Sequence, residues 1–321
     1  MEHLYLGYET AKWYWEHAKC GAQILRDHPT QSTLCGCVTT PAAARRIAQG
    51  TPFENVPLHI LTDKPFSRND EGTRFHVNKG PFPKGAFIQV SSQLFVASPQ
   101  LSFIQTAKNM PLGQVFLYEE ALCGAFAIAE DSKYGINERA PLATAKQLQR
   151  YTQACGGMTG AKQARQVAAL LVDGSASPRE SMALGALTLP LRHGGWGLPG
   201  ARLNHRIEIP QRFSWPGQRK YFVADLYWPD AKIALEYDSD VEHAHRVGIY
   251  RDSLKRNTLI DMGYTPICVT SIQLNNPSEL AHVAETIRRA LGKQKRKPSD
   301  NFAAAQAQLR RELGLPWFDR W

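Results

Sequence analysis

The chain of 321 residues is long enough for two domains, and 43% hydrophobic side chains are enough for a packed core. An uninterrupted apolar run of about 18 residues, as a membrane-spanning helix needs, is absent. The opening MEHLYLGYETAKWYWEHAKC lacks the basic region and apolar stretch of a secretory leader, so a cytoplasmic protein with no membrane partner is expected. Six cysteines without a CxxC pair exclude a disulfide scaffold, and the excess of 38 Lys and Arg over 29 Asp and Glu, a net charge of +9, suits a polyanion partner.

Residues 1–39 read as a helical segment whose aromatic cluster Trp13-Tyr14-Trp15 packs on a core rather than stacking on bases. Cys35 and Cys37 read as small core residues, because two further ligands for a structural zinc are missing nearby. Thr40–Gln49 carries a cap, a proline at the helix start and a Gly50 stop. Short apolar runs at Val56–Leu61, Arg74–Val77, Phe87–Val90 and Leu94–Ala97 read as strands. Ser98-Pro99 caps a helix to Lys108, and Val115–Ala129 reads as one strongly apolar helix. His59 and His76 fall on neighbouring strands, where hydrogen-bonded core histidines are the expected reading over metal ligands.

This order resembles the effector-side domain of AbiEi-type antitoxins over about Thr40 to Ile128. The matching pieces are Pro57-Leu58-His59-Ile60, Phe75-His76-Val77 and the run from Ala97 to Phe103. The resemblance implies an α+β domain, placed with its helical linker at 40–172, that takes a protein partner, in a toxin–antitoxin or defence context. The winged helix-turn-helix that normally precedes such a domain is not expected in the residues upstream.

Asp173–Pro178 marks the boundary to a second domain at 173–292. Ser177-Pro178-Arg179-Glu180 opens a helix to Thr188, where Glu180 either complements the helix dipole or approaches a metal site. The glycine-rich residues 190–204 are expected to lie over that site, and they hold no GxxxxGK[ST] phosphate cradle. Two apolar runs, Phe222-Val223-Ala224 and Ile233-Ala234-Leu235, flank the turn residues Pro229-Asp230 and each ends on carboxylates. With a side-chain period of two, Glu236 and Asp238 share a face, and a hairpin brings Asp225 toward them. Three acids so placed repel unless a divalent cation neutralises them, and oxygen donors favour Mg²⁺ or Mn²⁺. A helix over Val247–Met262 carries Arg251, Asp252, Lys255 and Arg256; Thr265–Thr270 reads as a strand and Ser278–Leu291 as a closing helix. The tail, 293–321, is basic at Lys293–Lys297 and then helical at Phe302–Leu313. Its tryptophans are expected to pack back on the body or a partner.

The second half resembles the Vsr-like branch of the PD-(D/E)XK nucleases over roughly Ser177 to Thr270. Asp225-Leu226-Tyr227-Trp228-Pro229, Glu236-Tyr237-Asp238, His243 and Arg256-Asn257-Thr258-Leu259 carry the likeness. Asp238 stands at the superfamily's lysine position and Ser239 at the following glycine. The resemblance implies an α/β architecture, a restriction-endonuclease-like mixed sheet flanked by helices and preceded by the smaller α+β domain. It also implies a Mg²⁺- or Mn²⁺-dependent endonuclease acting on nucleic acid, with DNA the leading target. Asp225, Glu236 and Asp238 are then the metal ligands, and His243 is the candidate base, with His245 as alternative. Lys255 or Arg256 is the charge stabiliser that replaces the absent lysine, Arg251, Lys255 and Arg256 contact the nucleic acid, and Glu180 is an auxiliary acid. The alternative is a nuclease-fold regulator that binds DNA or protein without cutting.

Overall fold

The computed structural model of the protein describes residues 1–214, 220–238, 246–294 and 300–315. The chain divides into two compact units, Met1–Leu171 and Val172–Trp321. Both are mixed α/β, and no helix among the described residues is long and apolar enough to cross a membrane.

In the first unit the order is β1 (Leu4–Leu6), α1 (Tyr8–His17), α2 (Gly21–Asp27), β2 (Thr30–Gln31), α3 (Pro41–Ala48), β3 (Leu58–Thr62), β4 (Thr73–Val77), β5 (Phe87–Gln89) and β6 (Leu94–Ala97). Then come α4 (Pro99–Ala107), α5 (Leu112–Cys123), β7 (Phe126–Ile128), β8 (Ile136–Glu138), α6 (Ala145–Ala154) and α7 (Ala161–Ala168). The six-stranded sheet runs β2-β5-β6-β1-β3-β4. The opening residues are therefore not helical throughout. Leu4, Tyr5 and Leu6 are fully buried, and β1 lies in mid-sheet, parallel to β6 and antiparallel to β3. A strand of three residues is too short to show a period of two.

The aromatic cluster on α1 does pack inward: Trp15 is fully buried and its indole N–H donates to the Ala97 carbonyl at 2.7 Å. The apolar stretch expected as one helix over Val115–Ala129 is two elements. Helix α5 stops at Gly124, whose extended backbone turns the chain into β7, paired with β8 as a separate hairpin. Of the two cysteines expected in the core, Cys37 is buried and Cys35 is exposed.

The second unit follows α8 (Pro178–Thr188), β9 (Arg202–Glu208), β10 (Tyr221–Trp228), β11 (Ile233–Asp238), α9 (Arg246–Asp261) and β12 (Thr265–Thr270). It closes with α10 (Ser271–Asn275), α11 (Pro277–Ala290) and α12 (Phe302–Glu312). Its sheet is mixed, ordered β12-β11-β10-β9, with β10 antiparallel to both neighbours and β11 parallel to β12. Leu226, Trp228, Ile233 and Leu235 are fully buried, and Leu259 of α9 packs with Tyr227 and Ala234. Both faces of the central hairpin are thus covered, which explains its near-continuous apolar runs.

The glycine-rich loop does not lie over the carboxylates. Gly194 has φ +89, and a Cβ there would overlap the Ala305 carbonyl of α12. Trp196 meets Phe302 edge-on with ring centroids 5.4 Å apart. Gly194 thus serves close approach to α12. That helix is held further by Arg310, 2% exposed, which donates to the Leu274 and Asn275 carbonyls. The tail thus packs back as far as Leu315, and Trp317 and Trp321 lie outside the described residues.

Candidate active site in the second unit

The β10–β11 hairpin aligns Leu226 with Leu235 and Tyr227 with Ala234. One step beyond that ladder, the same register sets Asp225 across from Glu236, so both side chains leave the sheet on one face. The ladder ends there because a side chain takes over: Asp225 Oδ2 accepts from the Tyr237 backbone N–H at 2.7 Å. Asp238, two residues beyond Glu236, completes that face, and Cys268 Sγ on β12 reaches its Oδ2 at 3.8 Å.

Helix α9 supplies the opposing wall. Asp252, Lys255, Arg256 and Leu259, spaced i, i+3, i+4 and i+7, line a cleft of about 290 Å³ together with Asp225, Glu236 and Asp238. Lys255 ion-pairs with Glu236 and donates to the Val223 carbonyl at 3.0 Å, so its ammonium ties the helix to both strands of the hairpin. Arg251 is exposed and does not line the cleft, one position off the inward stripe. His243, His245 and Ser239 lie outside the described residues.

Behind Asp225 stands a second acid. Glu180, on the first turn of α8, is 8% exposed. It accepts from the Ala176 N–H at 3.0 Å, from Ser177 Oγ at 2.9 Å and from Asn204 Nδ2 at 2.6 Å. Burial pushes its carboxyl up, against those three donors. Glu180 thus completes the Ser177 cap at the start of α8, and its charge bears on Asp225. Burial first, then the Glu180 charge and more weakly that of Glu236, push the Asp225 carboxyl up to about 7, against the Tyr237 N–H and the Lys255 ammonium.

Asn204 was not legible as a site residue. It sits at φ +45 on β9 where the ladder to β10 skips Asp225: Ala224 pairs with His205 and Leu226 with Leu203. That left-handed kink lets its amide donate both to Glu180 and to the Gly174 carbonyl, at 2.9 Å. Asparagine tolerates the conformation better than most residues, and that preference was the only signal available.

The donor set suits a hard divalent cation: carboxylate oxygens only, one of them buried with a raised carboxyl that a cation would bring down. Among the described residues, however, no three His, Cys, Asp or Glu side chains are drawn together as a metal group. Lys255 provides the positive charge beside Glu236. No family profile, curated protein or solved structure matches the chain.

Proposed function

We propose that the second unit is a metal-dependent endonuclease hydrolysing nucleic-acid phosphodiesters, with DNA the leading target. The observation that carries this reading is the reach of Lys255 from α9 to Glu236, across the sheet from Asp225, in an open cleft. Asp225 and Glu236 would hold Mg²⁺ or Mn²⁺, with Asp238 beside them. When bound, such an ion supplies Lewis-acid polarisation of the scissile phosphate and an easier loss of a proton from water. Lys255 and Arg256 then face the phosphate oxygens on which negative charge builds up, and Lys255 takes the role of the lysine missing at Asp238. Glu180, held by Asn204, sets its charge near Asp225.

The mixed sheet, with a helix before it and another between β11 and β12, supports the restriction-endonuclease-like reading of this unit. The net charge of +9 supports a polyanionic substrate.

A second reading, a nuclease-fold regulator that binds without cutting, is favoured by one observation: the protein's own ammonium already neutralises Glu236. Calorimetric titration with Mn²⁺ separates the two. The nuclease reading expects a saturable site lost in Asp225→Ala and in Glu236→Ala. Absence of Mn²⁺ uptake, with DNA binding that weakens steeply with salt, selects the regulator.

A further inference from the structure

The first unit carries a second cluster of reactive side chains, unrelated to the carboxylates of the second. It begins with a strained residue. Tyr8 has φ +50, a conformation disfavoured for a bulky side chain, and its backbone N–H is held by Gln105 Oε1 at 3.0 Å. The preceding Gly7 sits close against the sheet, where a Cβ would overlap Leu61 Cδ1. The strain aims the Tyr8 ring over His76, stacked with centroids 3.9 Å apart.

His59 and His76, expected as core histidines, are half-buried and line a cleft of about 280 Å³. They cluster with Glu9 around one ring nitrogen: His59 Nδ1 lies 2.8 Å from Glu9 Oε2 and 3.1 Å from His76 Nε2. Burial, then the neighbouring His59, Arg74 and Lys108 against Glu9, hold the His76 imidazole down at about 4, so it is neutral at ordinary pH. Arg74 and Lys108 are both exposed on the rim, and among the described residues neither has an ion-pair partner. Two cations against one carboxylate leave the cleft positive.

A larger groove of about 870 Å³ adjoins it and shares Tyr8 and Lys108. Phe82 and Met158 supply apolar wall and Lys84 a further cation. Gln105, 3% exposed, also lines it, and its Nε2 has no hydrogen-bond partner among the described residues. A buried amide donor left over at a groove calls for an acceptor there.

We propose that the first unit binds a nucleotide, its phosphate held by Arg74 and Lys108 beside the His59–His76 pair and its base and sugar in the groove along Tyr8, Phe82 and Gln105. The planar fork of Arg74 matches phosphate oxygens, the Tyr8 and Phe82 rings match a base, and the groove is of the size that encloses such ligands. This reading is independent of the proposed nuclease and survives its failure.

The test is calorimetric titration of the full chain with adenosine 5′-monophosphate, adenosine and inorganic phosphate. The monophosphate is expected to bind at least ~tenfold tighter than adenosine, and Arg74→Ala and Lys108→Ala each to weaken it about tenfold. Both positions are exposed, so folding is expected to persist and is checked by circular dichroism. Asp225→Ala is expected to leave binding unchanged, which separates this site from the second unit. No binding up to about 10 mM, equal binding of adenosine, or binding indifferent to both Arg74→Ala and Lys108→Ala would overturn the proposal.

Discussion

Lys255 of α9 is ion-paired with Glu236 of β11, and the same ammonium holds the Val223 carbonyl of β10. One side chain thus fixes the helix against both strands that carry the acids. A purely solvating lysine would point away from the sheet.

Replacing Lys255 by Met keeps the stem and removes the charge. Single-turnover cleavage is expected to slow by at least ~100-fold, the scale of losing one preorganised charge stabiliser, while DNA affinity changes far less. Cleavage at the wild-type rate would reduce Lys255 to a structural tie.

Asn204 is expected to matter for stability before it matters for catalysis. Asn204→Ala removes the amide that serves Glu180 and leaves an L side chain at φ +45. Urea denaturation should show a loss of about 1–3 kcal/mol, as for a buried group deprived of its partner. Asn204→Asp tolerates the kink but sets a carboxylate against Glu180, and should be at least as destabilised. An aspartate variant as stable as the native protein would contradict the role given to the amide.

Glu119 gives a pH signature in the first unit. It is fully buried on α5, its oxygens have no hydrogen-bond partner among the described residues, and burial with the neighbouring Glu120 charge raises its carboxyl well above 4.5. The folded state therefore holds a proton that the unfolded chain releases above about pH 4.5. Its contribution to stability is full below that point and declines as pH rises toward the folded value. Glu119→Gln removes the dependence, so its stability relative to wild type should climb by up to about 1.4 kcal/mol per pH unit as pH rises above about 4.5. Parallel pH profiles for the two proteins would contradict a neutral Glu119.

The β10–β11 hairpin was legible because apolar runs ending on carboxylates are hard to explain as core alone, and the period of two fixed which acids share a face. The helix that brings Lys255 was legible from its length and the Gly263 stop. Its facing was not, since which of Arg251, Lys255 and Arg256 turn inward depends on helix rotation, which packing of Leu259 sets. Leu4–Leu6 escaped notice because three residues carry no period, and β7 because its apolar residues continue those of α5 until Gly124 interrupts them. The partnership of Glu180, Asn204 and Asp225 was invisible for another reason. It depends on one left-handed residue that breaks a ladder, and tertiary register of that kind leaves no local pattern.

Asp225 and Glu236 are expected to belong to one hydrolytic centre. Cleavage of supercoiled plasmid and of single-stranded DNA with Mg²⁺ or Mn²⁺, wild type beside Asp225→Ala and Glu236→Ala, tests it most directly. Metal-dependent cutting by the wild type, abolished in both variants, is the predicted result. Cutting that persists in both, or none by the wild type with either metal, would contradict it.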